Sequence, residues 1–228
     1  MIVGTKKFFT GLGLLLSFVI LMAIIFSPVF HGRNGLEYMD SLYNSISKGS
    51  AHYIPELIGE SAVFKGSRVT VNIRMDSEIQ AQQTLPLFEK GGAEVETAGD
   101  RLRVTGDLGR IFENCLEDSE MMYHNEANHI ESKYHLDGRR VLYNWYKALK
   151  AMEKELNDHG RFKEADMVTL ILEKAVECSY NFYNIEPLKI SESTGIVIFS
   201  LLFYVIYTVW YGFAFMFMFE GWGMRLEH

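Results

Sequence analysis

The apolar residues of this chain are concentrated in two long runs, one near each end. Residues 8–30 and 194–219 contain no charged side chain. At about 1.5 Å rise per residue, each run can cross the roughly 30 Å hydrocarbon core of a bilayer. The pattern predicts two transmembrane helices. The alternatives are a buried helix of a soluble protein and, for the first run, a signal peptide, whose apolar stretch covers only about 7–15 residues.

Between the runs the hydrophobic period changes several times. Residues 36–46 have helical spacing, whereas 69–74 alternate apolar and polar residues as a strand does. Asp76 or Ser77 can cap a helix that runs to Lys90 and stops at Gly91 and Gly92. Alternation returns on both sides of a turn at residues 98–100. The sequence therefore predicts a small β-α-β-β unit over 68–106.

The following region, residues 107–185, is predicted to be helical. Apolar residues recur with a period near 3.6 from 108 to 122 and from 141 to 156, and again after a break at 157–160. The short break predicts that the last two helices form an antiparallel hairpin, and the residues around 125–128 are interpreted as a polar linker. The predicted fold class is an α+β membrane protein, in which the two helices flank a mainly helical extramembrane domain over 31–193.

Charge gives the predicted orientation in the membrane. Lys6 and Lys7 precede the first apolar run, whereas Arg33 and Lys48 follow it, so the positive-inside bias favours cytoplasmic termini. The polar domain would then be extracytoplasmic, which in a bacterium means an inner-membrane protein with a periplasmic domain. The predicted tails are 1–7 and 220–228, and the ending Leu226, Glu227, His228 resembles part of a cloning tag.

The strongest candidate for metal chemistry is a cluster of histidine and glutamate. His124, Glu126 and His129 are proposed ligands, because residues three apart share one helix face and Glu-x-x-His is a spacing used in di-iron helical bundles. The second Glu-x-x-His that such a bundle needs is missing. A solvated polar linker is the competing interpretation, and no other cofactor is predicted.

Two further kinds of function find little support in the sequence. The familiar motifs of hydrolases, nucleotide-binding enzymes and zinc peptidases are absent, so catalysis is not predicted. The chain has a formal net charge of −7 and no basic stripe, which disfavours nucleic acid as a partner. The two cysteines, Cys115 and Cys178, form either a disulfide or two separate thiols.

The second apolar run is rich in large rings with small residues between them. Tyr207, Trp210, Tyr211 and Gly212 are candidate partner-binding residues, because rings and a glycine permit close helix packing in lipid. Anchoring at the membrane interface is the alternative role for these rings.

These observations favour a non-catalytic accessory or scaffold subunit of a membrane complex. Its expected partners are membrane lipid and either other transmembrane subunits or copies of itself, and its polar domain would supply a recognition surface. A membrane-tethered metal-binding or redox protein and an extracytoplasmic sensor are the alternatives.

Overall fold

A computed structural model describes residues 2–30 and 32–224, so the predicted tag remnant lies outside the described residues. The described residues are mostly helical and include a three-stranded sheet. The chain divides into two compact units. The helix-pair unit contains the described residues up to Ser47 and from Pro187 onward, and the polar domain is Lys48–Glu186.

The elements follow in chain order. The helices are α1 Thr5–Ile25, α2 Gly35–Ser50, α3 Ile54–Ser61, α4 Glu78–Lys90, α5 Leu108–Tyr123, α6 Ala127–Tyr134, α7 Gly138–Asp158, α8 Phe162–Ile171, α9 Cys178–Asn181 and α10 Ile190–Gly221. The strands are β1 Arg68–Arg74, β2 Glu94–Ala98 and β3 Arg101–Asp107, and Leu172–Glu177 is a π-helical segment.

The predicted β-α-β-β unit is present. Ser77 caps α4 by accepting a hydrogen bond from the Gln80 backbone N–H, and β2 and β3 form a hairpin. The strand order is β1-β3-β2, with both pairs antiparallel. The apolar face is buried, while Glu155 of α7 accepts a hydrogen bond from the backbone N–H of Asn72 on the edge strand β1. Covering of this edge protects a small sheet from pairing with other chains.

The core of the polar domain contains one fully buried carboxylate, that of Asp118 on α5. It accepts hydrogen bonds from the Tyr134 hydroxyl at 2.7 Å and the Trp145 indole at 2.8 Å. The Lys133 ammonium lies 2.8 Å from its other oxygen. Burial raises the pKa of Asp118, and these three donors oppose that rise. The contacts fasten α6 and α7 to α5.

The structure shows what the linker residues, the two cysteines and the predicted hairpin form. The helix α6 begins at Ala127, within the residues interpreted as a polar linker, because Ala127, Ile130 and Tyr134 bury one face of it while its other residues stay polar. The cysteines are separate thiols: Cys115 is buried, and the Cys178 thiol donates to the backbone carbonyl of Ala51 at 3.3 Å. The predicted hairpin of α7 and α8 is present.

Both apolar runs form long helices that pack against each other. α1 ends at Ile25 rather than continuing to residue 30, since Pro28 disfavours helical backbone at the residue before it. Each helix is long and apolar enough to cross a membrane, by length and composition. Of their most apolar stretches, only 6% of α1 and 0% of α10 is buried.

The contact between α1 and α10 depends on glycines, which have no side chain to separate the two backbones. A Cβ added at Gly11 would lie 2.6 Å from the Ala214 carbonyl oxygen, and one at Gly221 would lie 2.6 Å from Phe8. At one end of the pair, Lys7 and Glu220 form an ion pair at 2.7 Å. Such close backbone approach is typical of small residues at helix crossings.

The contacts of Asp118 predict that substitution of Lys133 lowers the free energy of unfolding by an amount that depends on pH. Lys133→Met removes the cation that faces the buried carboxylate, so we expect the free energy of unfolding to fall by about 3 kcal/mol at pH 7. Since Asp118 titrates at a raised pKa in the folded state, the loss should shrink in acid. It should grow as the pH rises from the folded-state pKa of Asp118 in the unaltered protein to the higher folded-state pKa in the variant, because the two folded states differ in protonation only there. Denaturant unfolding followed by circular dichroism at several pH values measures this effect.

Lys154→Met is the matched control, because Lys154 lies exposed on α7. It should leave the unfolding free energy nearly unchanged. Equal losses in the two variants, or a Lys133→Met loss that does not vary with pH, would contradict the role given to the Asp118 contacts.

The contact between α1 and α10 predicts that substitutions at Gly11 and Gly13 differ in their effect on thermal stability. Gly11→Leu forces the backbones of α1 and α10 apart, at a cost of about 1–3 kcal/mol. Gly13→Leu should be tolerated, because no atom lies within 4 Å of a Cβ at Gly13. Thermal unfolding of detergent-solubilised protein, followed by size-exclusion chromatography, compares the two. A lower midpoint for Gly13→Leu than for Gly11→Leu would show that the helices cross elsewhere.

Candidate functional site

Three polar side chains with metal-ligating atoms converge in the polar domain. His52 Nε2 lies 2.9 Å from both carboxylate oxygens of Glu120. His124 Nε2 lies 3.0 Å from Glu120 Oε1. One ligand atom from each residue lies within 4.8 Å of the other two. We name these three residues the His-Glu-His cluster.

The end of α5 supplies two members of the cluster. Glu120 and His124 are four positions apart, which places them on the same side of the helix. His124 is the C-cap residue, and its backbone N–H donates to the Glu120 carbonyl at 3.0 Å. The local helical fold therefore sets the separation between this imidazole and the carboxylate.

The third member comes from a distant part of the chain. His52 lies just before α3, whose Ile54 and Leu57 are buried in the core next to α5. The His52 ring stacks on Tyr123, with 4.4 Å between centroids and 15° between planes. The Tyr123 hydroxyl donates to the backbone carbonyl of Lys48, so both ends of this short segment are fixed.

An acidic groove of about 380 Å³ opens beside the cluster. Its apolar lining comes from Ile58 and Met121, and its charged lining is almost entirely carboxylate. The lining residues are Ile58, Glu113, Glu117, Glu120, Met121, His124 and Glu126. Lys65 and Lys133 each pair with one of these glutamates from outside the lining, at 3.2 and 3.1 Å. The groove thus presents negative charge next to two imidazoles.

The metal ligands proposed from sequence separate into two groups. His124 belongs to the cluster and contacts Glu120. Glu126 and His129 form their own pair, with 3.4 Å between the carboxylate and the imidazole. Sequence reasoning missed His52, because it is 68 positions from Glu120 and no local spacing connects them.

The proposed partner-binding residues occupy different sides of α10. Tyr207 and Tyr211 pack against Phe18 of α1, with ring centroids 6.4 and 5.8 Å apart. Trp210 has a buried indole nitrogen with no hydrogen-bond partner among the described residues. Gly212 faces open space, since nothing lies within 4 Å of a Cβ built on it.

Comparison with known proteins found no matching family model, no matching curated protein and no matching solved structure.

Proposed function

We propose that this chain is a non-catalytic accessory subunit of a membrane complex, anchored by α1 and α10. In this proposal the two helices cross the bilayer as a pair, and the polar domain lies on the extracytoplasmic side. Their low burial favours this role over that of core helices in a soluble protein, which are mostly buried. The ion pair between Lys7 and Glu220 supports an arrangement with both chain ends on one side.

The observation that carries the accessory role is an open face on α10. Gly212 and Ala214 are two positions apart, which is about 200° around a helix of 3.6 residues per turn. The Ala214 side contacts α1, so Gly212 faces away from that contact. Thr208 lies one turn before Gly212, and a pair of small residues four apart permits close approach of another helix in lipid.

Exposed apolar side chains surround this small-residue pair. Six apolar side chains of residues 194–219 lie within about 60° of Gly212 around the helix and are each at least 39% exposed: Ile198, Leu201, Val205, Val209, Phe215 and Phe219. Their surfaces can pack against a second helix on both sides of the Gly212 approach. We therefore propose a transmembrane helix of another protein as the occupant of this face. Tyr207 and Tyr211 instead hold the pair together through Phe18.

The orientation can be tested with two matched cysteines. Val3 and Val63 are each 77% exposed, the first ahead of α1 and the second in the polar domain. In a Cys178→Ser background, a cysteine at Val63 should react with a membrane-impermeant maleimide in intact spheroplasts. A cysteine at Val3 should react only after lysis. The reverse result would show that the polar domain is cytoplasmic, and equal labelling in intact cells would exclude the two-span arrangement.

The partner surface can be tested by native copurification in mild detergent with mass spectrometry. Gly212→Leu fills the open approach, so we expect the amount of copurified membrane partner to fall severalfold. The thermal midpoint of the helix pair should stay unchanged. Gly195→Leu is the control, because Gly195 also faces open space but lies about 100° away around α10.

Two outcomes would contradict the proposal. Loss of the partner in both variants would remove the special role of the Gly212 face. A self-associated protein with no other partner, dissociated by Gly212→Leu, would replace the accessory role with homo-oligomerisation.

A further inference from the structure

We propose that the His-Glu-His cluster binds a divalent transition-metal ion of the zinc type. This inference goes beyond the accessory role and does not depend on the membrane arrangement, because all three ligands lie in the polar domain. Two imidazoles and one carboxylate form a ligand set that proteins use for zinc and for non-haem iron. Glu126 and His129, proposed as ligands from sequence, are not part of this site.

Two of the three separations between ligand atoms are close to what a bound ion requires. Zinc lies about 2.0–2.1 Å from nitrogen and oxygen ligands, so two ligands of a tetrahedral ion are about 3.3 Å apart. The observed separations from Glu120 are 2.9 Å to His52 and 3.0 Å to His124. The carboxylate and the imidazoles therefore need to move by only a few tenths of an ångström along these two edges.

The two imidazoles differ in how firmly they are held. The stacked Tyr123 ring orients His52, whose side chain is 31% exposed. His124 is 49% exposed at the end of α5, so it can turn toward an ion without disturbing the core. The third edge, between the imidazoles, is limited to 4.8 Å and can shorten through this movement.

The nature of the ligands selects among cations. Calcium and magnesium prefer oxygen ligands, and here two of three ligand atoms are imidazole nitrogens. Zinc accepts both types of atom and commonly keeps a water when the protein provides three ligands. The exposed side of the cluster leaves room for that water.

The adjacent groove favours arrival of a cation. Four glutamates line it, counting Glu120, and the two lysines paired with Glu113 and Glu117 offset only half of their charge, so the groove keeps a net negative charge. A groove of one charge sign raises the local concentration of the opposite ion. The same charge disfavours anionic ligands for the bound metal.

Zinc titration of the full chain tests the inference. The protein is purified in detergent without a polyhistidine tag, stripped with a chelator, and titrated with Zn²⁺ by isothermal calorimetry. We expect one ion per chain. His52→Ala and Glu120→Gln should each weaken binding by about tenfold or more, whereas an excess of Mg²⁺ or Ca²⁺ should not displace zinc.

His129→Ala is the matched control, since it removes an exposed histidine of α6 outside the cluster. It should bind zinc as the unaltered protein does. Glu120→Gln keeps the shape of the side chain, and circular dichroism confirms that the variants fold. Absence of stoichiometric zinc binding would overturn the inference. Zinc binding that survives in His52→Ala but is lost in His129→Ala would also overturn it, by moving the ion to Glu126 and His129.

Discussion

The polar domain depends on how it accommodates the buried carboxylate of Asp118. An ionised group without partners would be very costly in this position, so three donors from two other helices must converge on it. Each donor can reach Asp118 only when α6 and α7 lie against α5. The requirement to satisfy one charge therefore selects the packing of three helices, in addition to the non-directional attraction of their apolar faces.

The same helix carries the candidate metal site on another side. Asp118 points into the core, whereas Glu120 and His124 lie toward the groove, because two positions along a helix turn a side chain by about 200°. The donors that hold α5 in the core thus also fix the carboxylate and imidazole at its end. The stacked Tyr123 ring then connects this end to the segment that brings His52. The same contacts of α5 therefore stabilise the core and set the proposed ligand geometry.

Local patterns in the sequence predicted most elements, but not their contacts. The β-α-β-β unit followed from alternation, the Ser77 cap and the stop at Gly91, which all act within a few residues. The start of α6 at Ala127 was interpreted as linker, because the buried face of this helix consists only of Ala127, Ile130 and Tyr134, too few to establish a period. His52 pairs with Glu120 because α3 packs on α5. The spacing of residues along the chain does not predict that packing.

For the helix pair, too, the sequence predicted the elements but not the contacts between them. Composition identified the rings and glycine of α10, yet it could not tell which side α1 occupies. In the proposed bilayer, lipid tails would be as apolar as the side chains, so burial would give little preference between sides, and close backbone approach would decide. Gly11 meets Ala214 at such an approach, which takes up one side of α10 and directs Tyr207 and Tyr211 toward Phe18. Gly212 consequently remains on the opposite side of α10, where the proposed partner helix would approach.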